Sequence, residues 1–157
     1  MALLKTSTAR GFTLIEILLV IGLFAILGAM ALFTDFTSYR GDAFRSEQNK
    51  LVVALQSARA DAFNNVDQER HGVAIFPSDH PASFVIFEGD SYASSTSRSV
   101  IDTSYPIAIG SSSPGEIIFK QLSADSIYAG EVSVTLIDSA RNFSSVITIN
   151  HEGAINY

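Results

Sequence analysis

Cysteine is absent from the 157 residues, which excludes disulfides and thiolate metal sites and leaves packing to stabilise the fold unaided. Basic residues are sparse, ten Lys or Arg against sixteen Asp or Glu for a formal charge of -6. None of them forms a run, so the clustered cations on which phosphate binding rests are missing and nucleic acid is not an expected partner. A small local patch at Arg98, Lys120 or Arg141 is the most the sequence offers. There is no Gly-x-Ser-x-Gly elbow, no glycine-rich phosphate loop and no dinucleotide fingerprint. His71, His80 and His151 stand apart, outside helical metal spacing, and read as surface histidines, with His80 and Asp79 or His151 and Glu152 as the only imaginable pairings. The acidic turns at Asp79, Glu88-Gly89-Asp90 and Asp138 lack the repeated oxygen spacing of a calcium loop and read as solvated. No enzyme, cofactor or metal is expected from this inventory.

What is present is unevenly spread. Apolar residues make up 47% of the chain, and from Phe12 to Phe33 they run on with Glu16 as the one ionisable side chain. As a helix that run extends about 33 Å, enough for a hydrocarbon core of about 30 Å. Lys5 and Arg10 precede it with no acid between them, which places the N-terminus in the cytoplasm and the rest of the chain outside. A secretory signal cut after Ala31, at Ala29-Met30-Ala31, is the competing reading. It is disfavoured because the run exceeds an h-region of roughly 7 to 15 residues, and because such a signal gains nothing from Glu16. A carboxylate at the centre of a span costs about 2.5 to 3.5 kcal/mol, so Glu16 reads as functional.

Downstream, Phe44, Leu51, Leu55, Ala58 and Ala62 follow the spacing of one helical face. The helix therefore continues past Thr34, with Gly41 as a point of slight bending and Arg40, Asp42, Arg45, Glu47 and Lys50 on its solvated or subunit-facing side. Asn64-Asn65 ends it, giving a rod of some 80 Å at the helical rise. Beyond it the period becomes two: strands are predicted at 73–76, 84–87, 107–109, 117–119, 132–136 and 146–149, with a Ser-rich surface loop from Ser91 to Ser99.

Residues Gly11-Phe12-Thr13-Leu14-Ile15-Glu16, followed by Ile17-Leu18-Leu19-Val20-Ile21, resemble the class III signal of type IV prepilins and type II secretion pseudopilins. The resemblance implies that Gly11 closes a leader (residues 1–11), that a prepilin peptidase/methyltransferase cuts there and methylates the new amine of Phe12, and that Glu16 pairs with the Phe12 amine of a neighbouring subunit during assembly. Neither charge keeps its water inside a filament core, so each needs the other. It implies an α+β, pilin-like lollipop: residues 12–33 as transmembrane and filament-core helix, 34–65 as its amphipathic continuation, and 66–157 as an antiparallel β domain.

The same resemblance implies a structural subunit anchored by one pass in the cytoplasmic membrane, with its domain periplasmic or extracellular. Its partners would be other pilin or pseudopilin subunits and an inner-membrane assembly platform with its ATPase. Leu55-Gln56-Ser57-Ala58-Arg59-Ala60-Asp61-Ala62 resembles the Leu-x-x-Ala-Arg-x-x-Ala signature of H-type minor pseudopilins, and the ending Ile147-x-Ile149 then Gly153-Ala154-Ile155 resembles the terminal hairpin of that family. Two features depart from the pattern: no proline stands near the end of the apolar run, and no glycine follows Phe119. The alternative function is a binding protein, adhesin or DNA receptor, displayed at a filament tip.

Overall fold

The computed structural model describes residues 11–32 and 36–157, with side chains from Gly11 to Met30 and from Gly41 onward. The leader up to Arg10 and the helix continuation at residues 33–35 lie outside the described residues. The chain divides into two units, 1–38 and 39–157.

In the first unit, helix α1 spans Leu14–Leu32. Thr13 caps it, its Oγ1 and carbonyl both accepting from the Glu16 N–H at 3.3 and 3.1 Å. That is the forward half of a Thr-x-x-Glu capping box, with Glu16 in the first turn, where the helix dipole favours a carboxylate. The described side chains of α1 are all exposed, from Leu14 to Met30.

Helix α2, Phe36–Phe63, runs unbroken through Gly41. The missing Cβ of Gly41 admits the Arg141 guanidinium, whose Nη1 lies 2.9 Å from where that Cβ would be. The helix ends as expected: the Asn65 N–H bonds the Ala62 carbonyl and Asn65 turns left-handed at φ 56.

Eight strands follow, in two four-stranded antiparallel sheets. The first contains β1 (His71–Ile75), β2 (Ser83–Glu88), β3 (Arg98–Asp102) and β5 (Glu116–Phe119), in the order β3-β2-β1-β5. The second contains β4 (Ala108–Ile109), β6 (Val132–Asp138), β7 (Phe143–Ile149) and β8 (Ile155–Asn156), in the order β4-β6-β7-β8. Every predicted strand is there, and the terminal hairpin is the β7–β8 pair, Ile149 opposite Ile155. The predicted single sheet is two. Strand β3, which starts at the end of the Ser-rich stretch, was not predicted, because an edge strand exposed along most of its length carries no apolar alternation to announce it.

One core joins both sheets to α2. Phe44, Leu51, Leu55, Ala58 and Ala62 of the helix pack with Val73, Ile75, Phe84, Ile117 and Phe119 from the first sheet and Val134, Leu136, Ile147 and Ile149 from the second. Burial of each large apolar side chain contributes about 1.5 to 3 kcal/mol. The opposite face of the first sheet buries Ala74, Val85, Phe87 and Ile118, with Tyr92 of the short 3-10 turn Tyr92–Ser94 packed against them.

Candidate functional site

Where the resemblance places processing, Gly11 and Phe12 lie just ahead of the first helical turn, outside regular structure, with the Phe12 side chain 79% exposed. Exposed backbone outside regular structure leaves the Gly11–Phe12 bond accessible to a peptidase. Glu16 is also exposed, one turn into α1. Among the described residues no helix is long and apolar enough to cross a membrane. Helix α1 itself measures about 28 Å at the helical rise, since Phe12 and Thr13 precede its first turn and Phe33 falls outside the described residues.

Within the second unit, two buried carboxylates clasp the connection from β3 to β4. Glu47, read from the sequence as solvated or subunit-facing, is 2% exposed. Its Oε1 accepts from the backbone N–H of Ser104 at 3.0 Å and of Tyr105 at 3.2 Å, and from Lys50 Nζ at 3.1 Å. Lys50 also donates to the Asp102 carbonyl and to Ser104 Oγ. Asp138, read as a solvated turn acid, is 1% exposed. Its Oδ2 accepts the Tyr105 hydroxyl at 2.9 Å, while Oδ1 accepts the N–H groups of Ala140 and Arg141. Both corrections have one cause: a carboxylate tolerates burial where backbone N–H groups otherwise lacking partners converge on it. A cavity of about 370 Å³ beside this clasp is lined by Ala43, Ser46, Glu47, Lys50, Ser104 and Tyr105.

On the outer face of the first sheet, Tyr92 donates its hydroxyl to both oxygens of Asp79 at 2.7 and 2.8 Å. Arg98 lies 4.0 Å over the Tyr92 ring and bonds Asp79 Oδ2 at 3.3 Å. The Tyr92 hydrogen bond holds the Asp79 carboxyl below the usual carboxylate range, helped by His80 and Arg98. Desolvation, then the bond to Asp79, raises the Tyr92 phenol. A carboxyl lowered on folding stabilises the fold above its unfolded value and loses that contribution as pH falls through the lowered one. Thermal melts of wild type and Asp79→Asn will therefore converge on acidification from about pH 5 to about pH 3, wild type losing more; parallel losses would show that Asp79 does not carry the dependence.

The histidines divide. His71 is buried rather than on the surface, its Nε2 proton donated to the Val66 carbonyl at 3.0 Å. His80 lies 3.8 Å from Asp79, the pairing imagined from sequence. The exposed His151 meets the Tyr128 carbonyl through Nδ1 at 2.9 Å. Among the described residues no group of His, Asp or Glu is placed to hold a metal.

Of the Leu-x-x-Ala-Arg stretch, Leu55, Ala58 and Ala62 are core. Arg59 donates Nη2 to the Glu152 carbonyl at 3.3 Å, against the turn before β8. That turn depends on Gly153, at φ +73, and meets Ala124 (φ 57); Ala124 and Leu122 (φ 68) are both left-handed, in the segment where the expected glycine is missing.

Residues 6–32 match the family model for the prokaryotic N-terminal methylation motif. The motif covers the junction, Glu16 and α1. Neither the curated proteins nor the solved structures provide a match.

Proposed function

We propose that the chain is the precursor of a type IV pilin-like structural subunit. A prepilin peptidase cuts it after Gly11, the Phe12 amine is methylated, and the subunit is assembled into a type IV pilus or type II secretion pseudopilus. The carrying observation is the methylation motif at residues 6–32, laid over a helix whose described side chains are all exposed. A row such as Ile15, Leu18, Leu19, Phe24, Ile26 and Leu27 is driven out of water, first into the bilayer and then against the same helix of neighbouring subunits. On this reading the N-terminus stays cytoplasmic, residues 12–33 anchor the precursor, and Glu16 meets the neighbour's Phe12 amine.

The work is mechanical rather than catalytic, and the energy comes from the ATPase of the assembly platform. The buried Leu55, Ala58 and Ala62 and the docked Arg59 support placing the chain with H-type minor subunits. Arg98, one of the cations considered for a nucleic-acid patch, is engaged by Asp79 and Tyr92, so the structural reading is preferred to a DNA receptor.

The test is to express the precursor with and without a prepilin peptidase and to measure the intact mass. The expected product begins at Phe12, with one added methyl group. A product beginning at Leu32 overturns the reading in favour of a secretory signal.

A further inference from the structure

Strand β3 ends the first sheet, and among the described residues no strand pairs with its outer side. Its hydrogen-bond parity follows from its flanks. The Thr103 N–H bonds the Ala82 carbonyl and the Glu88 N–H bonds the Ser97 carbonyl, in the same register that sets Ser99 against Ile86 and Ile101 against Phe84. Odd-numbered residues thus point their backbone groups at β2, and Arg98, Val100 and Asp102 point theirs outward. The same three side chains share the sheet face opposite the helix, and Val100 is 42% exposed.

The outward residues read Arg98, Val100, Asp102, a set that is its own complement when reversed. We propose that β3 pairs antiparallel with β3 of a second copy about a two-fold axis at Val100, joining the two first sheets edge to edge. In that register Val100 faces Val100, and each Arg98 faces the Asp102 of the other copy. The backbone groups of Arg98 and Val100 and the Asp102 N–H find partners, the Asp102 carbonyl, which already accepts Lys50 Nζ at 3.0 Å, takes the facing Arg98 N–H as a second donor, and the two ion pairs select this register over slipped ones. Arg98 bonds Asp79 and Tyr92 within one chain, so pairing requires it to share its guanidinium between Asp79 and the facing Asp102. The contact is two-fold, whereas all subunits of one filament run the same way. It therefore joins unassembled subunits or neighbouring filaments, and it does not depend on the reading of the N-terminus.

The absence of cysteine makes the test clean. In the full-length chain in detergent, Val100→Cys places two thiols on facing residues about 5.5 Å apart by Cα, within disulfide range, and oxidation will give a covalent dimer. Ser99→Cys, displaced diagonally in this register, will give little. Adding Asp102→Lys to Val100→Cys sets two cations opposite Arg98 and lowers the dimer yield roughly tenfold. No dimer from Val100→Cys, equal yields from Val100→Cys and Ser99→Cys, or indifference to Asp102→Lys would each overturn the proposal.

Discussion

Alanine at position 153 will cost the C-terminal unit about 3 kcal/mol or more, lowering its melting temperature by roughly 10 °C or more. Two independent terms add. Gly153 sits at φ +73, in the left-handed region, where a Cβ costs roughly 1 to 2 kcal/mol. The Cβ would also lie 2.1 Å from the Ala124 carbonyl oxygen and 3.1 Å from Arg59 Nε. Ala124 is buried and its N–H bonds the Lys120 carbonyl, so the oxygen cannot retreat without moving the segment that covers the edge of β5. Overpacking of this kind costs about 1 to 3 kcal/mol, out of a total stability of about 5 to 15 kcal/mol. Circular-dichroism melts of Gly153→Ala beside Gly130→Ala make the comparison direct, because a Cβ at Gly130 meets nothing within 4 Å. Equal melting temperatures would show that helix, loop and terminal hairpin do not meet so closely.

Removal of the Glu47 carboxylate has the second large effect. Glu47→Ala leaves the Ser104 and Tyr105 N–H groups without their acceptor, removes one partner of Lys50 and opens space in the core. Each buried N–H left without an acceptor costs about 1 to 3 kcal/mol, while Lys50, partly exposed, keeps Asp102 and Ser104 as acceptors. Glu47→Gln retains an acceptor for the two N–H groups. However, it replaces Oε2, which is buried without a hydrogen-bond partner, with a donor equally unpartnered, a change worth about 1 to 3 kcal/mol. Chemical denaturation will rank wild type above Glu47→Gln above Glu47→Ala. Hydrogen exchange at Ser104 and Tyr105 will rise most in Glu47→Ala. A stable alanine variant with unchanged exchange would mean that the β3–β4 connection is held by Tyr105 and Asp138 alone.

Much of this was legible from residue type and spacing. The period of the apolar face of α2 located its buried residues, and the alternation at 132–136 and the continuous apolar run at 84–87 located core strands, because a strand buried on one face reads with period two and one buried on both faces reads apolar throughout. Glu47 was misread although the signal was present. It lies three residues after Phe44 and four before Leu51, on the apolar face itself, and the charge outweighed the position. Strand β3 left no such signal, since what makes it a strand is pairing with β2 rather than burial.

Taken by itself, the sequence determined the N-terminal chemistry: a glycine, a phenylalanine and a lone glutamate at the start of an apolar run are local features, readable without knowing what lies near them. Tertiary structure alone decided the rest. Whether Glu47 and Asp138 are buried, whether Arg98 is open to a ligand, and why Gly153 must lack a side chain depend on groups that are distant in sequence. Their free energies come from desolvation and close contact, which exist only once α2 and the two sheets have come together.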